Sequence, residues 1–165
     1  MIVVSNSSPL ITLARVGHLD LLRELFADIH IAAEVHHEVV ERGAGKPAAD
    51  LVGAADWIKT HPAASADEVA TLRASHALGT GELATILLGR KLKSDLAIVD
   101  ERSARRLAQA NGLAVMGCVG ILETGHRRGL VEDLRHVYQQ LLANGIRIDE
   151  GILNESLADC GLPPL

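Results

Sequence analysis

Short β-branched runs alternate with helix-patterned stretches along this chain, and that alternation restricts its fold more than any other feature. Ile2 to Ser5, Ile29 to Ala32, Trp57 to Lys59, Leu96 to Val99 and Leu113 to Met116 are too brief for helices and rich in Val, Ile and Leu. Strand-like runs separated by helical ones are the pattern of βαβ units, which build a parallel sheet through right-handed crossovers. The expected architecture is α/β, a three-layer α/β/α sandwich around a central four- to five-stranded parallel sheet. One domain spanning residues 1–165 is expected, since that length buries a core without disulfides.

Helix signals fill the gaps. Ser8 reads as an N-cap with Pro9 at the first helical position, opening a helix to about Val16. Leu19 to Phe26 follows, then Ala33 to Arg42, stopped by Gly43. Residues 43–56 give no clear element. Ser65 to Glu68 opens another helix, with both carboxylates in its first turn, where the helix dipole favours them. Thr80 reads as the cap of a helix to about Leu92, and Asp100 as the cap of Glu101 to Ala110, ended by Asn111-Gly112. Val119 to Arg128, Val131 to Ala143 and a C-terminal segment complete the chain.

Composition narrows the function. Apolar residues make up 48% of the chain, yet there is one Trp, one Tyr and one Phe. The core must be aliphatic, and no aromatic platform exists on which bases could stack. Cys118 and Cys160 are far apart and in no metal-ligand spacing, which fits small core hydrophobes in a reduced compartment. The N-terminus lacks a basic region, and its apolar run breaks after three residues. Neither a signal peptide nor a membrane span is expected, and a cytoplasmic location follows. A net charge of −5 argues against a broad basic face for duplex DNA and leaves room only for a local basic patch.

Four polar residues carry the chemical interest. In an open parallel sheet, ligands gather beyond the carboxyl ends of the strands. Asn6 follows the first strand there and Asp100 the fourth. Each also has a plainer role, Asn6 in an Asx-type turn and Asp100 as a helix cap. On the helix Ala33 to Arg42, Val35 and Val39 mark the buried stripe. Glu38 projects beside that stripe, with Glu34 and Glu41 turned further toward solvent. Glu82 lies in the first turn of its helix among the small residues Gly79, Thr80 and Gly81, where a dipole contact alone could account for it. Brought together, three carboxylates and an amide would suit a hard cation such as Mg²⁺ or Mn²⁺. Such an ion can activate water for phosphodiester attack. Spacing alone does not bring them together.

Val3-Val4-Ser5-Asn6-Ser7-Ser8-Pro9-Leu10-Ile11, Glu38-Val39-Val40, Gly79 to Ala84 and Ile98 to Arg105 occur in that order, followed by Gly117 to Leu122 and Arg128-Gly129-Leu130. Together they resemble the PIN-like domain family, and more narrowly a prokaryotic branch related to VapC-type toxin ribonucleases. The resemblance covers roughly residues 1–160. It implies a central parallel sheet, an acidic pocket binding Mg²⁺ or Mn²⁺, cleavage of single-stranded RNA, and pairing with a small antitoxin protein. It assigns Asn6, Glu38, Glu82 and Asp100 to the metal, with Glu38, Glu82 and Asp100 catalytic and Glu101 an additional acid. Asn6 departs from the nuclease pattern, which has Asp there. The amide still offers an oxygen ligand but brings no charge.

For nucleic acid, Ser7 and the arginines Arg102, Arg105 and Arg106 are the candidate contacts, with His126-Arg127-Arg128 as a further basic group. A solvated helix face explains the arginines equally well. A homodimer is the expected assembly. The leading expectation is a Mg²⁺- or Mn²⁺-dependent endoribonuclease, the toxin half of a pair. The alternative is a PIN-like module that binds RNA or protein without cutting, marked by Asn6. A receiver-type phospho-acceptor is set aside, because Ser7-Ser8 follows Asn6 where paired acids would be needed.

Overall fold

The computed structural model describes residues 1–75 and 77–165. Five strands, β1 (Val3–Ser5), β2 (Ile29–Ala32), β3 (Ile58–His61), β4 (Leu96–Ile98) and β5 (Val115–Met116), form one sheet in the order β3-β2-β1-β4-β5. Every pairing is parallel. β1 and β4 are aligned Val3↔Leu96, Val4↔Ala97 and Ser5↔Ile98. The strand order reverses direction between β1 and β4, so the topological switch point falls at their carboxyl ends, where a crevice opens by construction.

Around the sheet lie α1 (Ser7–Arg15), α2 (Leu21–Phe26), α3 (Ala33–His36), α4 (Pro47–Ala54) and α5 (Ala66–Ser75). They are followed by α6 (Thr80–Leu92), α7 (Arg102–Ala110), α8 (Cys118–Arg127), α9 (Leu134–Ala143) and α10 (Glu150–Asp159). α6 packs on β1, β2 and β4 with α3, α5 and α7 beside it, while α8 gathers α1, α2, α9 and α10. The result is the expected three-layer α/β sandwich. Its core is aliphatic: Val3, Val4, Leu10, Leu13, Ile29, Ile31, Leu83, Ile86 and Ile98 are wholly buried. Each contributes roughly 1.5–3 kcal/mol by leaving water. No helix among the described residues is long and apolar enough to cross a membrane.

Several boundaries move. α1 starts at Ser7 with Asn6 as its flanking residue, so Pro9 stands third rather than first. Proline is tolerated there because the first four N–H groups of a helix have no intrahelical acceptor. α4 occupies the stretch 43–56 that gave no pattern; it begins with Pro47 at the first position and buries only Ala48, Ala49 and Val52. α3 continues as a π-helical turn, His37–Glu41, in place of a regular α-helix to Arg42. Glu34 is half-buried, not solvent-directed, with its Oε1 enclosed and unpaired. The caps of α6 and α7 are Gly79 and Glu101 instead of Thr80 and Asp100.

Candidate active site

The crevice at the switch point is a cleft of about 1030 Å³, and Asn6, Glu38, Glu82 and Asp100 all line it. Asn6 leaves β1 directly: its N–H donates to the Ile98 carbonyl at 3.1 Å, and the residue is 4% exposed. Asp100 leaves β4 two residues beyond Ile98 and turns toward α8, where the Cys118 N–H donates to its Oδ1 at 2.6 Å. That bond explains why Asp100 does not cap α7. Glu101 does so, its Oε2 accepting from Ala104 N at 3.1 Å. Ser103 and Ala104 donate to Glu101; although slight burial opposes them, these bonds hold its carboxyl below the ordinary glutamate range.

Glu38 reaches the cleft from the π-helical turn, and the Ser7 hydroxyl donates to its Oε2. Ser7 is 7% exposed, and both it and Glu38 line the cleft. Glu82 comes from the first turn of α6, its Oε2 accepting from Gly79 N at 3.0 Å. Burial pushes the Glu82 carboxyl above the ordinary range. The Gly79 N–H pulls against that rise, while the charges of Glu101 and Glu38 add to it. Glu38, Glu82 and Glu101 are thus electrostatic neighbours.

Two glycines allow these approaches. A Cβ on Gly81 would stand 2.5 and 2.8 Å from the two Glu38 carboxylate oxygens. A Cβ on Gly117 would stand 2.8 Å from both Asp100 Oδ1 and Arg105 Nη1. The Cys118 thiol behind Asp100 is buried, and burial followed by the Asp100 charge pushes it well up. It is an inert core group.

A five-stranded all-parallel sheet is the arrangement that the sequence motifs implied, and residues 2–161 match the PIN domain family. The chain belongs to the PIN domain family. No curated protein matches it. PIN domains carry nuclease activity and nucleic-acid binding as family-level properties, and they generally use divalent metal ions.

The donor chemistry of this PIN domain fits such an ion. Glu38, Glu82 and Asp100 each commit one oxygen to a protein donor, and the second makes no hydrogen bond or ion pair among the described residues. All three are oxygen donors, as hard cations require. Among the described residues, however, no three His, Cys, Asp or Glu side chains are drawn into one metal-holding group.

The basic candidates separate. Arg105 lines the cleft and is half-buried; Arg102 and Arg106 are exposed and outside it. Arg127 pairs with Glu123 through Nη2 at 2.8 Å and donates to the Asp159 carbonyl, so it belongs to the α8–α10 contact. Arg15, Arg147 and Asp149 also line the cleft, and none was expected from the sequence. No local signal marks Arg147: which loop folds against the sheet end is decided by tertiary packing.

Proposed function

We propose that the chain is a Mg²⁺- or Mn²⁺-dependent endoribonuclease acting on single-stranded RNA. The observation that carries this reading is the meeting of Asn6, Glu38, Glu82 and Asp100 around one cleft at the β1/β4 switch point. The free oxygens of Glu38, Glu82 and Asp100, with the Asn6 amide oxygen, would hold the ion. A bound divalent ion supplies a water of lowered pKa and positive charge opposite the phosphodiester.

The side chains supply the rest. Ser7 fixes the Glu38 carboxylate, the Gly79 N–H fixes that of Glu82, and the start of α8 fixes that of Asp100. Three acids held this way lose little freedom when a ligand arrives. Carboxylates lining one cleft favour a cationic occupant. A cleft lined by no Phe, Tyr or Trp among the described residues suits a substrate held by its backbone.

The toxin role belongs to the same proposal: a small antitoxin would place an Arg or Lys against Asp100, and a homodimer would be the assembled form. Co-purification with a small upstream gene product, weakened by Asp100→Lys, tests the first; light scattering tests the second. Asn6 in place of an acid favours a second reading, a module that binds RNA without cutting. Cleavage of a labelled single-stranded RNA pool in Mn²⁺, compared with EDTA, decides between the two. Mn²⁺-dependent products support the nuclease, and binding without products supports the module.

A further inference from the structure

Arg105 stands beside the acids, yet its charge is not spent on them. Its guanidinium is a fork of five N–H donors whose only hydrogen bond among the described residues is to the Val99 carbonyl, at 3.5 Å. No carboxylate among the described residues pairs with it. Asp100 Oδ1, which like Arg105 Nη1 lies 2.8 Å from where a Cβ on Gly117 would stand, is already taken by Cys118 N.

α1 begins in the same cleft. Its first turn holds no acid, and the Asn6 side chain does not cap it. Ser7 and Ser8 line the cleft, and their N–H groups, first in the helix, have no intrahelical acceptor and make no other hydrogen bond among the described residues. Asn6 is 4% exposed and faces the cleft, and its carboxamide also makes no hydrogen bond among the described residues. Its side-chain polar atoms keep access to solvent in the cleft, so this corner is open to a ligand that brings acceptors. Asparagine matters here in its own right. A carboxylate could only accept, whereas the amide offers two donors as well as its oxygen. From another wall of the cleft comes Arg147, exposed and free of ion pairs among the described residues.

We propose that Asn6, the start of α1 and Arg105 form a phosphate subsite beside the carboxylates, with Arg147 as its outer cation. It takes a backbone phosphate of a single-stranded nucleic acid next to the phosphodiester that the acids address. The inference rests on the reading of the cleft as a nucleic-acid site and adds where the strand is gripped. Asn6 Nδ2 and the α1 amides donate to the non-bridging oxygens, where a helix start favours negative charge, and Arg105 neutralises the phosphate. Asn6 can serve both neighbours, its oxygen toward a cation and its nitrogen toward the phosphate.

Binding of a labelled single-stranded RNA oligonucleotide, measured by anisotropy in EDTA across a salt series, tests the subsite apart from any cleavage. Arg105→Gln and Arg147→Gln should each weaken binding several-fold and lower the salt slope by about 0.7, the value of one phosphate contact on a single strand. Arg106→Gln, outside the cleft, should leave both unchanged. Single-stranded DNA should show the same dependence on Arg105, because the phosphate is common to both. Arg147 is exposed, so its variant carries the test even if Arg105→Gln folds poorly. Three outcomes overturn the proposal: wild type that does not bind, an unchanged slope in Arg105→Gln and Arg147→Gln, or an equal loss in Arg106→Gln. Loss of cleavage with this binding pattern intact would count against the nuclease reading alone.

Discussion

The Ser7 hydroxyl donates to Glu38 Oε2 in the cleft, tying the first residue of α1 to a π-helical turn 31 residues further along the chain. A serine two residues after the end of β1 thereby sets the position of a carboxylate that its own helix would leave free to swing. Ser7→Ala removes that hold. Stability should fall by about 1 kcal/mol, the ordinary worth of one such bond. Mn²⁺ affinity, measured by calorimetric titration, should fall less than in Glu38→Gln. An effect equal to Glu38→Gln would show that Ser7 does more than position Glu38.

Gly81 gives an opposite pairing of effects. Alanine improves helix propensity by up to about 1 kcal/mol, but its Cβ would meet the Glu38 carboxylate at 2.5 Å. The carboxylate, at the end of a flexible side chain, can move aside. Gly81→Ala should therefore melt at or slightly above the wild-type temperature while Mn²⁺ affinity and RNA cleavage drop about tenfold. Unchanged affinity would mean that Glu38 does not act from its observed place.

Divalent ions should stabilise the fold. If the acids share an ion, Mn²⁺ at about 100 times its Kd adds roughly 2.7 kcal/mol, a rise of about 5–10 °C in melting temperature for a domain of this size. The rise should vanish in Asp100→Asn. A melting temperature indifferent to millimolar Mn²⁺ would contradict a shared site.

The strand ends were legible in the sequence, and the links between them were not. Asn6 and Asp100 could be placed because each follows a short run of Val, Ile or Ala that can only be a buried strand. That Asp100 turns to Cys118 could not be read, since the partner lies 18 residues away on another helix. The register of Glu38 was argued at 100° per residue, whereas the chain there forms a π-helical turn, which no local propensity announces. α4 did leave a sign, Pro47 at its first position, but its small buried residues give too weak a stripe to read. The cleft's far wall, including Arg147, was invisible for a simpler reason: nothing in the loop after α9 specifies what it packs against.

Tyr138 offers a test of the packing that carries that wall. Its hydroxyl bonds Ser156 Oγ at 2.7 Å, and Ser156 in turn donates to Glu123, joining α8, α9 and α10. Burial pushes the phenol up to about 12. The folded state thus favours the protonated phenol, and the stability this gives is complete below pH 10 and lost as pH rises from about 10 toward 12. Tyr138 is the only tyrosine, so tyrosinate absorbance reports it alone. Ionisation should be delayed to about pH 12 or to unfolding, whichever comes first, and Tyr138→Phe should flatten the stability loss in that window. An ordinary titration near pH 10 in folded protein would contradict this packing.

Cleavage of single-stranded RNA by wild type, Asn6→Asp and Asp100→Asn, side by side in Mn²⁺, tests the central claim most directly. Asn6→Asp restores a full charge at ligand distance, so Mn²⁺ affinity and cleavage at saturating RNA should both rise. In EDTA the same variant should bind RNA more weakly, having lost a donor and gained a like charge. The predicted order of cleavage is Asn6→Asp above wild type, with Asp100→Asn inactive. No cleavage by any of the three, or cleavage by Asp100→Asn equal to wild type, would contradict a metal-dependent nuclease site in this cleft.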